Sequence, residues 1–165
     1  MFARIKSVLF ISVFLLILSS NAFSQHSAGL GVSILGDSDS SLNSAMFSYN
    51  YRPDSNMGLE IYGATGGSDS YQGISIDLDY LVGSKLKLGT EVGNTFFYVS
   101  GGYNVIGVSG SGYGASVSID GDGAALGVGV DFDVSESIES GLSYQRFFGD
   151  IEDTNGWALV FRYKF

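Results

Sequence analysis

The sequence predicts an all-β chain, closed as an antiparallel up-and-down transmembrane β-barrel of eight strands behind a cleaved leader. Three observations carry this prediction. Residues 1–24 read as a secretory signal. The remaining chain alternates with period two, so that one side of each segment is apolar and aromatic. Its connections alternate between long polar loops and clipped turns. Composition agrees: 24 glycines suit a narrow interior, and a single proline removes almost no ladder donors.

The leader has Arg4 and Lys6 as its basic start, an apolar run from Val8 to Leu18, and Ala22-Phe-Ser24 before a cleavage point that leaves Gln25 first. The run is shorter than the roughly 20 residues a spanning helix needs. Cleavage leaves 141 of the 165 residues, enough for one domain at 25–165. That domain keeps six cations (Arg52, Lys85, Lys87, Arg146, Arg162 and Lys164) against 17 acids, a formal charge of 6 − 17 = −11. Nucleic acid is excluded as a partner, because there is no basic patch to displace phosphate counterions. With no cysteine, disulfides and thiol chemistry are excluded as well.

The first strand alternates Ala28, Leu30, Val32 and Ile34 with Gly29, Gly31 and Ser33, and the run from Asp37 to Ser41 ends it. The second sets Ala45, Phe47, Tyr49 and Tyr51 against Ser44, Met46, Ser48, Asn50 and Arg52; Pro53 to Asn56 is a tight turn. The third sets Met57, Leu59 and Ile61 against Gly58, Glu60 and Tyr62. After a polar loop from Gly66 to Gly73, the fourth places Ile74, Ile76, Leu78, Tyr80 and Val82 outward and Ser75, Asp77 and Asp79 inward; the parity continues through Lys85 and Lys87 inside and Leu86 and Leu88 outside. Gly89 to Asn94 reads as a turn. The fifth strand, Thr95 to about Ile106, has bulk on both faces, and Phe97, Val99, Tyr103 and Val105 are expected outward.

Ser109 to Gly123 is glycine- and serine-rich and reads as the longest loop, or as an extended hairpin through Ala115, Val117 and Ile119. The sixth strand sets Leu126, Val128, Val130 and Phe132 against Gly127, Gly129, Asp131 and Asp133. A short turn at Ser135 to Ser137 leads to the seventh, with Ile138, Leu142 and Tyr144 against Glu139, Gly141, Ser143 and Gln145. A loop from Phe148 to Gly156 follows. The eighth strand then places Trp157, Leu159, Phe161, Tyr163 and Phe165 on one side and Ala158, Val160, Arg162 and Lys164 on the other. Splitting the fourth strand at Gly83-Ser84 and counting Gly112 to Ile119 separately would instead give ten.

A soluble barrel shows similar loop alternation, but it needs a polar outer face. Here the polar face is made of small residues and charges suited to a narrow interior, so the apolar side faces lipid. The whole region after the leader resembles the small eight-stranded bacterial outer-membrane barrels, the OmpA-transmembrane-domain and OmpX type of the porin family. The likeness rests on the leader, the strand count, the Ala124-Ala-Leu-Gly-Val-Gly-Val130 and Tyr144-Gln-Arg-Phe147 strands, and the pattern from Trp157 to Phe165. It implies a Gram-negative outer-membrane location with both termini periplasmic and with lipid and lipopolysaccharide as surroundings. It also implies insertion by the barrel assembly machinery, with Phe161, Tyr163 and Phe165 as the C-terminal assembly signal, and a monomeric state. Trp157, Tyr163, Phe165, Tyr49 and Tyr51 would form interfacial girdles.

An eight-stranded barrel is only wide enough for side chains to fill it. Glu60, Asp77, Asp79, Asp131, Asp133 and Glu139 are expected inside, facing Arg52, Lys85, Lys87, Arg162 and Lys164, with Asp131, Asp133, Glu139, Arg162 and Lys164 as a structural charge cluster. Unpaired, each charge would carry a desolvation cost of several kcal/mol. A gated proton or ion path is the functional alternative. The loop acids Asp37, Asp39, Asp69, Asp120, Asp122, Asp150, Glu152 and Asp153 read as solvated charge, because neither Asp-x-Asp pair continues into a full calcium loop. No metal, cofactor or catalytic residue is assigned: the one histidine, His26, falls where a terminus is usually mobile. The function expected is a non-enzymatic barrel with a plugged polar interior and a structural or surface-interaction role, in adhesion or envelope integrity. The alternatives are a lipid A-modifying outer-membrane enzyme and a soluble periplasmic lipocalin-like carrier.

Overall fold

The computed structural model describes residues 25–36, 41–71, 73–113, 115–150 and 154–165. The leader and the acids Asp37, Asp39, Glu152 and Asp153 lie outside the described residues. Nine strands are present among them: β1 Gln25–Gly36, β2 Ser41–Arg52, β3 Met57–Thr65, β4 Ser68–Tyr71, β5 Ile74–Val92, β6 Thr95–Gly112, β7 Ala115–Asp133, β8 Ile138–Phe147 and β9 Asn155–Lys164. All neighbours are antiparallel. β1 pairs with both β2 and β9, and β3 pairs with β5, so β1, β2, β3, β5, β6, β7, β8 and β9 close a ring of eight.

The short β4 continues the line of β3 along β5 after a break at Gly66 and Gly67, whose φ angles of 75° and 106° favour residues without a Cβ. The two segments therefore form one stave. β5 runs unbroken through Gly83-Ser84 and β7 unbroken through Ile119, so the ten-strand count is set aside, and the closed barrel leaves no edge within the ring.

Burial follows the period of two. Leu30, Phe47, Val82, Leu86, Val99, Val128, Leu159 and Phe161 are exposed on the outer wall, while Ser48, Glu60, Lys87, Asn104, Asp131 and Arg162 are buried inside. Such a wall is stable only where lipid replaces water on the outside.

Three staves are longer than the others. β5, β6 and β7 have 19, 18 and 19 residues, against the roughly 9–11 needed to cross a bilayer at a tilt. The β6–β7 ladder runs unbroken from Thr95↔Phe132 to Gly112↔Ala115, whereas β7 and β8 pair only as far as Ala125↔Phe147. The stretch from Ser109 to Gly123 is thus a paired hairpin projecting beyond the ring, not a loop. β5 likewise extends to Val92, through most of the stretch expected to turn before Thr95.

In β5 the outward parity does not persist. The pairing with β6 steps between Leu78↔Val108 and Tyr80↔Gly107, which leaves Asp79 as an unpaired extra residue. A bulge of this kind shifts the alternation by one. Leu78 is therefore buried at 3% exposure beside Leu81, and Asp79 is exposed outside, the reverse of their sequence assignment. Ile74 and Ile76 share the face of Leu78, so they too point toward the barrel axis, and Asp77 points away.

Candidate functional site

The lumen has two unlike halves. At the end holding the termini, Glu60 of β3, Lys85 and Lys87 of β5, Asp131 of β7, Glu139 of β8 and Arg162 of β9 converge, none more than 2% exposed. The Arg162 guanidinium donates to Glu139 at 2.8 Å, Asp131 at 3.1 Å, Glu60 at 2.9 Å and Ser48 Oγ at 2.9 Å. Lys87 Nζ donates to Asp131 at 2.7 Å and lies 2.5 Å from Glu60; Lys85 Nζ lies 3.5 Å from Glu60 and 3.4 Å from Ser143 Oγ. Three cations thus face three carboxylates. A Cβ at position 141 would lie 2.7 Å from both Arg162 Nη1 and Asp131 Oδ1, so a larger residue there would push the ends of this ion pair aside.

Nearer the mouth at that end, Arg52 pairs with Glu91 at 2.5 Å and Lys164 with Asp133 at 2.9 Å. Arg52 also lies over the Phe96 ring, and Lys87 over the Tyr98 ring, at 4.5 and 4.7 Å. Of the five residues expected as a cluster, Asp131, Glu139 and Arg162 share one network; Asp133 and Lys164 form a separate pair. Glu60, Lys85 and Lys87, expected inside but not in that cluster, are full members of the network. Glu91 falls in the stretch that reads as a turn, so only its charge points to the pairing with Arg52. Asp77 and Asp79 do not enter the lumen: Asp79 accepts from Ser109 Oγ at 2.9 Å on the outer surface.

The other half of the lumen is apolar. Leu35, Met46, Ala64, Leu78, Leu81, Ile106 and Phe147 form one cluster there. Tyr62 spans the boundary, its ring in that cluster and its hydroxyl donating to Asn104 and, at 3.2 Å, to Gln145.

Outside the ring, the projecting β5–β6–β7 sheet carries acids on its outer face. Tyr80 donates to Asp120 at 3.0 Å, and Tyr103 donates to Asp122. Two of the predicted loop acids thus sit on a strand. Asp69, on β4, accepts the Ser41 amide at 2.9 Å. Among the described residues no three His, Cys, Asp or Glu side chains converge to hold a metal ion. His26 is not a loose terminus: it lies in β1 on the outer wall, its Nδ1 2.6 Å from the Tyr49 hydroxyl and its ring beside those of Tyr51 and Phe165. Phe161, Tyr163 and Phe165 stand exposed on that same wall.

The model of one family, described as the outer membrane protein beta-barrel domain, matches residues 10–165. The chain belongs to that family. It is a Gram-negative outer-membrane barrel, and no curated protein matches it. Among solved structures, Ail, the attachment invasion locus protein of Yersinia pestis, is 19% identical with a TM-score of 0.59, covering 86% of this chain and 97% of Ail. The N-terminal β-barrel domain of Pseudomonas aeruginosa OprF is 14% identical with a TM-score of 0.63, covering 88% of this chain and all of that domain (100%). Neisserial surface protein A is 12% identical with a TM-score of 0.57, covering 87% of this chain and 96% of that protein. At these identities the likeness is one of fold. Ail has also been solved in complex with the heparin analogue sucrose octasulfate.

Proposed function

We propose that this barrel is a non-enzymatic surface-contact protein of the outer membrane: a salt-bridged plug fills its lumen, and its projecting sheet meets partners outside the cell. The mature protein would be residues 25–165, monomeric, with both termini periplasmic and the long hairpins external. Phe161, Tyr163 and Phe165 would engage the assembly machinery during insertion.

The observation that carries this reading is the change of face along β5, β6 and β7. Within the ring their apolar residues point outward; beyond it, Ile76, Val108, Val117 and Ile119 point toward the axis, while Ser75, Asp77, Ser109, Ser118 and Asp120 point away. A sheet polar on its outer face is built for water. The carbonyls of Ala124 and Asp122 accept from the Phe148 and Asp150 amides, and before them the part of β7 from Ala115 to Asp120 is a free flank that pairs only with β6 among the described strands, with Val117 and Ile119 60% and 65% exposed. Open main-chain groups beside exposed apolar side chains are what a contact surface requires. The outer face carries acids, so it favours a cationic partner; the polyanion that Ail binds is of the wrong sign for it.

Against a pore stands barrel size, since about sixteen strands are needed for an aqueous channel. Replacing residues 108–119 with a two-residue turn tests the proposal. The shortened protein should keep heat-modifiable gel mobility but lose adherence of expressing cells to a polylysine surface, and both versions should leave lipid A mass spectra unchanged. Adherence equal to that of the full chain would overturn the contact role; altered lipid A would favour an enzyme. Stable conductance steps in a planar bilayer would remove the plug.

A further inference from the structure

A cavity of about 470 Å³ opens at the mouth beside Gln25, and Arg52, Asp54, Glu91 and Asp133 line it with that residue. Gln25 is the first residue of β1 and stands opposite Arg52 in the β1–β2 ladder. Ser27, two residues on and so on the same face, is buried, and its hydroxyl donates to Glu139 at 3.4 Å. The Gln25 side chain therefore points into the mouth and not to the outer wall.

Charge does not balance around this cavity. Arg52 meets Glu91 Oε2 at 2.5 Å and Lys164 meets Asp133 Oδ2 at 2.9 Å, so each pair uses one carboxylate oxygen. Asp54 is a third acid, its Oδ1 accepting the Asn56 and Met57 amides at 2.8 and 2.9 Å. Three carboxylates thus face two cations, whereas the network deeper in the lumen sets three against three. The Glu91 and Asp133 side chains are 40% and 28% exposed, open to a further cation from the cavity. The Asn94 side-chain amide donates to the Asp133 carbonyl at 3.0 Å and fixes that end of β7.

Removal of a leader after Ser24 turns the peptide nitrogen of Gln25, a neutral group, into an ammonium. We propose that this cavity is the site of that ammonium: Glu91 and Asp133 hold the new N-terminus, and leader removal supplies the third cation. The proposal rests on the leader boundary proposed above. An N-terminal glutamine otherwise closes on itself. The uncharged amine attacks its own side-chain amide carbon, a lactam ring forms, and ammonia leaves. Carboxylates nearby favour the protonated amine, which has no electron pair for that attack. The site therefore keeps Gln25 open and charged while the barrel is folded.

The test is the intact mass of the exported protein, extracted from membranes in detergent and incubated at mildly alkaline pH either folded or unfolded in urea. Ring closure shows as the loss of one ammonia. The protein should start at Gln25, and the folded form should close about tenfold more slowly than the unfolded one. Glu91→Gln and Asp133→Asn, each checked for folding by gel mobility before and after boiling, should close several-fold faster than the folded wild type. If Asp133→Asn does not fold, Glu91→Gln decides, because its side chain is the more exposed of the two. Ladder pairing of Gln25 alone would protect wild type and variants equally, and that result would overturn the site. Closure at one rate in folded and unfolded wild type would do the same and would leave the leader boundary standing. A start at any other residue would overturn the boundary and the site together.

Discussion

Two parts of the same strand obey opposite rules. In the ring-forming part of β7, Leu126, Val128 and Phe132 face outward and Asp131 faces the lumen; in the projecting part, Val117 and Ile119 take the inner side and Ser118 and Asp120 the outer. The backbone alternates identically in both parts, so the difference is one of solvent. Lipid outside the ring demands apolar residues there, and water outside the projection demands polar ones. β6 and β7 make the exchange by sequence alone, whereas β5 makes it with the extra residue Asp79.

The largest effect should come from the lumen behind the lipid-facing wall. Arg162→Met leaves Glu60, Asp131 and Glu139 with one cation fewer in a dry interior and should destabilise the barrel by about 3–5 kcal/mol, read from urea unfolding in lipid vesicles. A loss below 1 kcal/mol would mean that water reaches the network. Next comes the wall itself. Val128→Lys should lower stability by about 2–4 kcal/mol near the bilayer midplane, while Val117→Lys in the projection should not move the unfolding midpoint. Equal losses at the two positions would erase the contrast.

Leu78→Ala probes the junction and should cost about 2 kcal/mol, as for a buried core leucine. A negligible loss would return Leu78 to the outer face. The smallest effect belongs to Tyr103→Phe, which removes the bond to Asp122 on the exposed sheet: folding stability should stay unchanged while amide exchange in the β6–β7 hairpin quickens. Unchanged exchange would show that the backbone ladder alone holds the projection.

The ring was legible in the sequence because burial on one side and lipid on the other force a strict alternation, as from Trp157 to Phe165. The projection was legible only as one of two readings, a long loop or an extended hairpin through Ala115, Val117 and Ile119, and the second is the one found. Its glycines and serines resemble a loop, since the paired stretch from Gly107 to Gly112 is held by main-chain bonds and needs no large side chains. No residue type marks the bulge at Asp79, so the parity read through it placed Leu78 outside. In the lumen, charge and parity located Arg162, Asp131 and Glu139. Register, which only the pairing of distant strands supplies, was needed to bring Glu60 and Lys87 to the same guanidinium and its partners.

The most direct measurement uses the absence of native cysteine. Val128→Cys, Leu159→Cys, Val117→Cys and Ser118→Cys are each exposed to a water-soluble maleimide in intact vesicles. Labelling at 117 and 118 with protection at 128 and 159 is the expected result. Labelling at 128 and 159 would contradict the membrane-facing wall on which the rest depends.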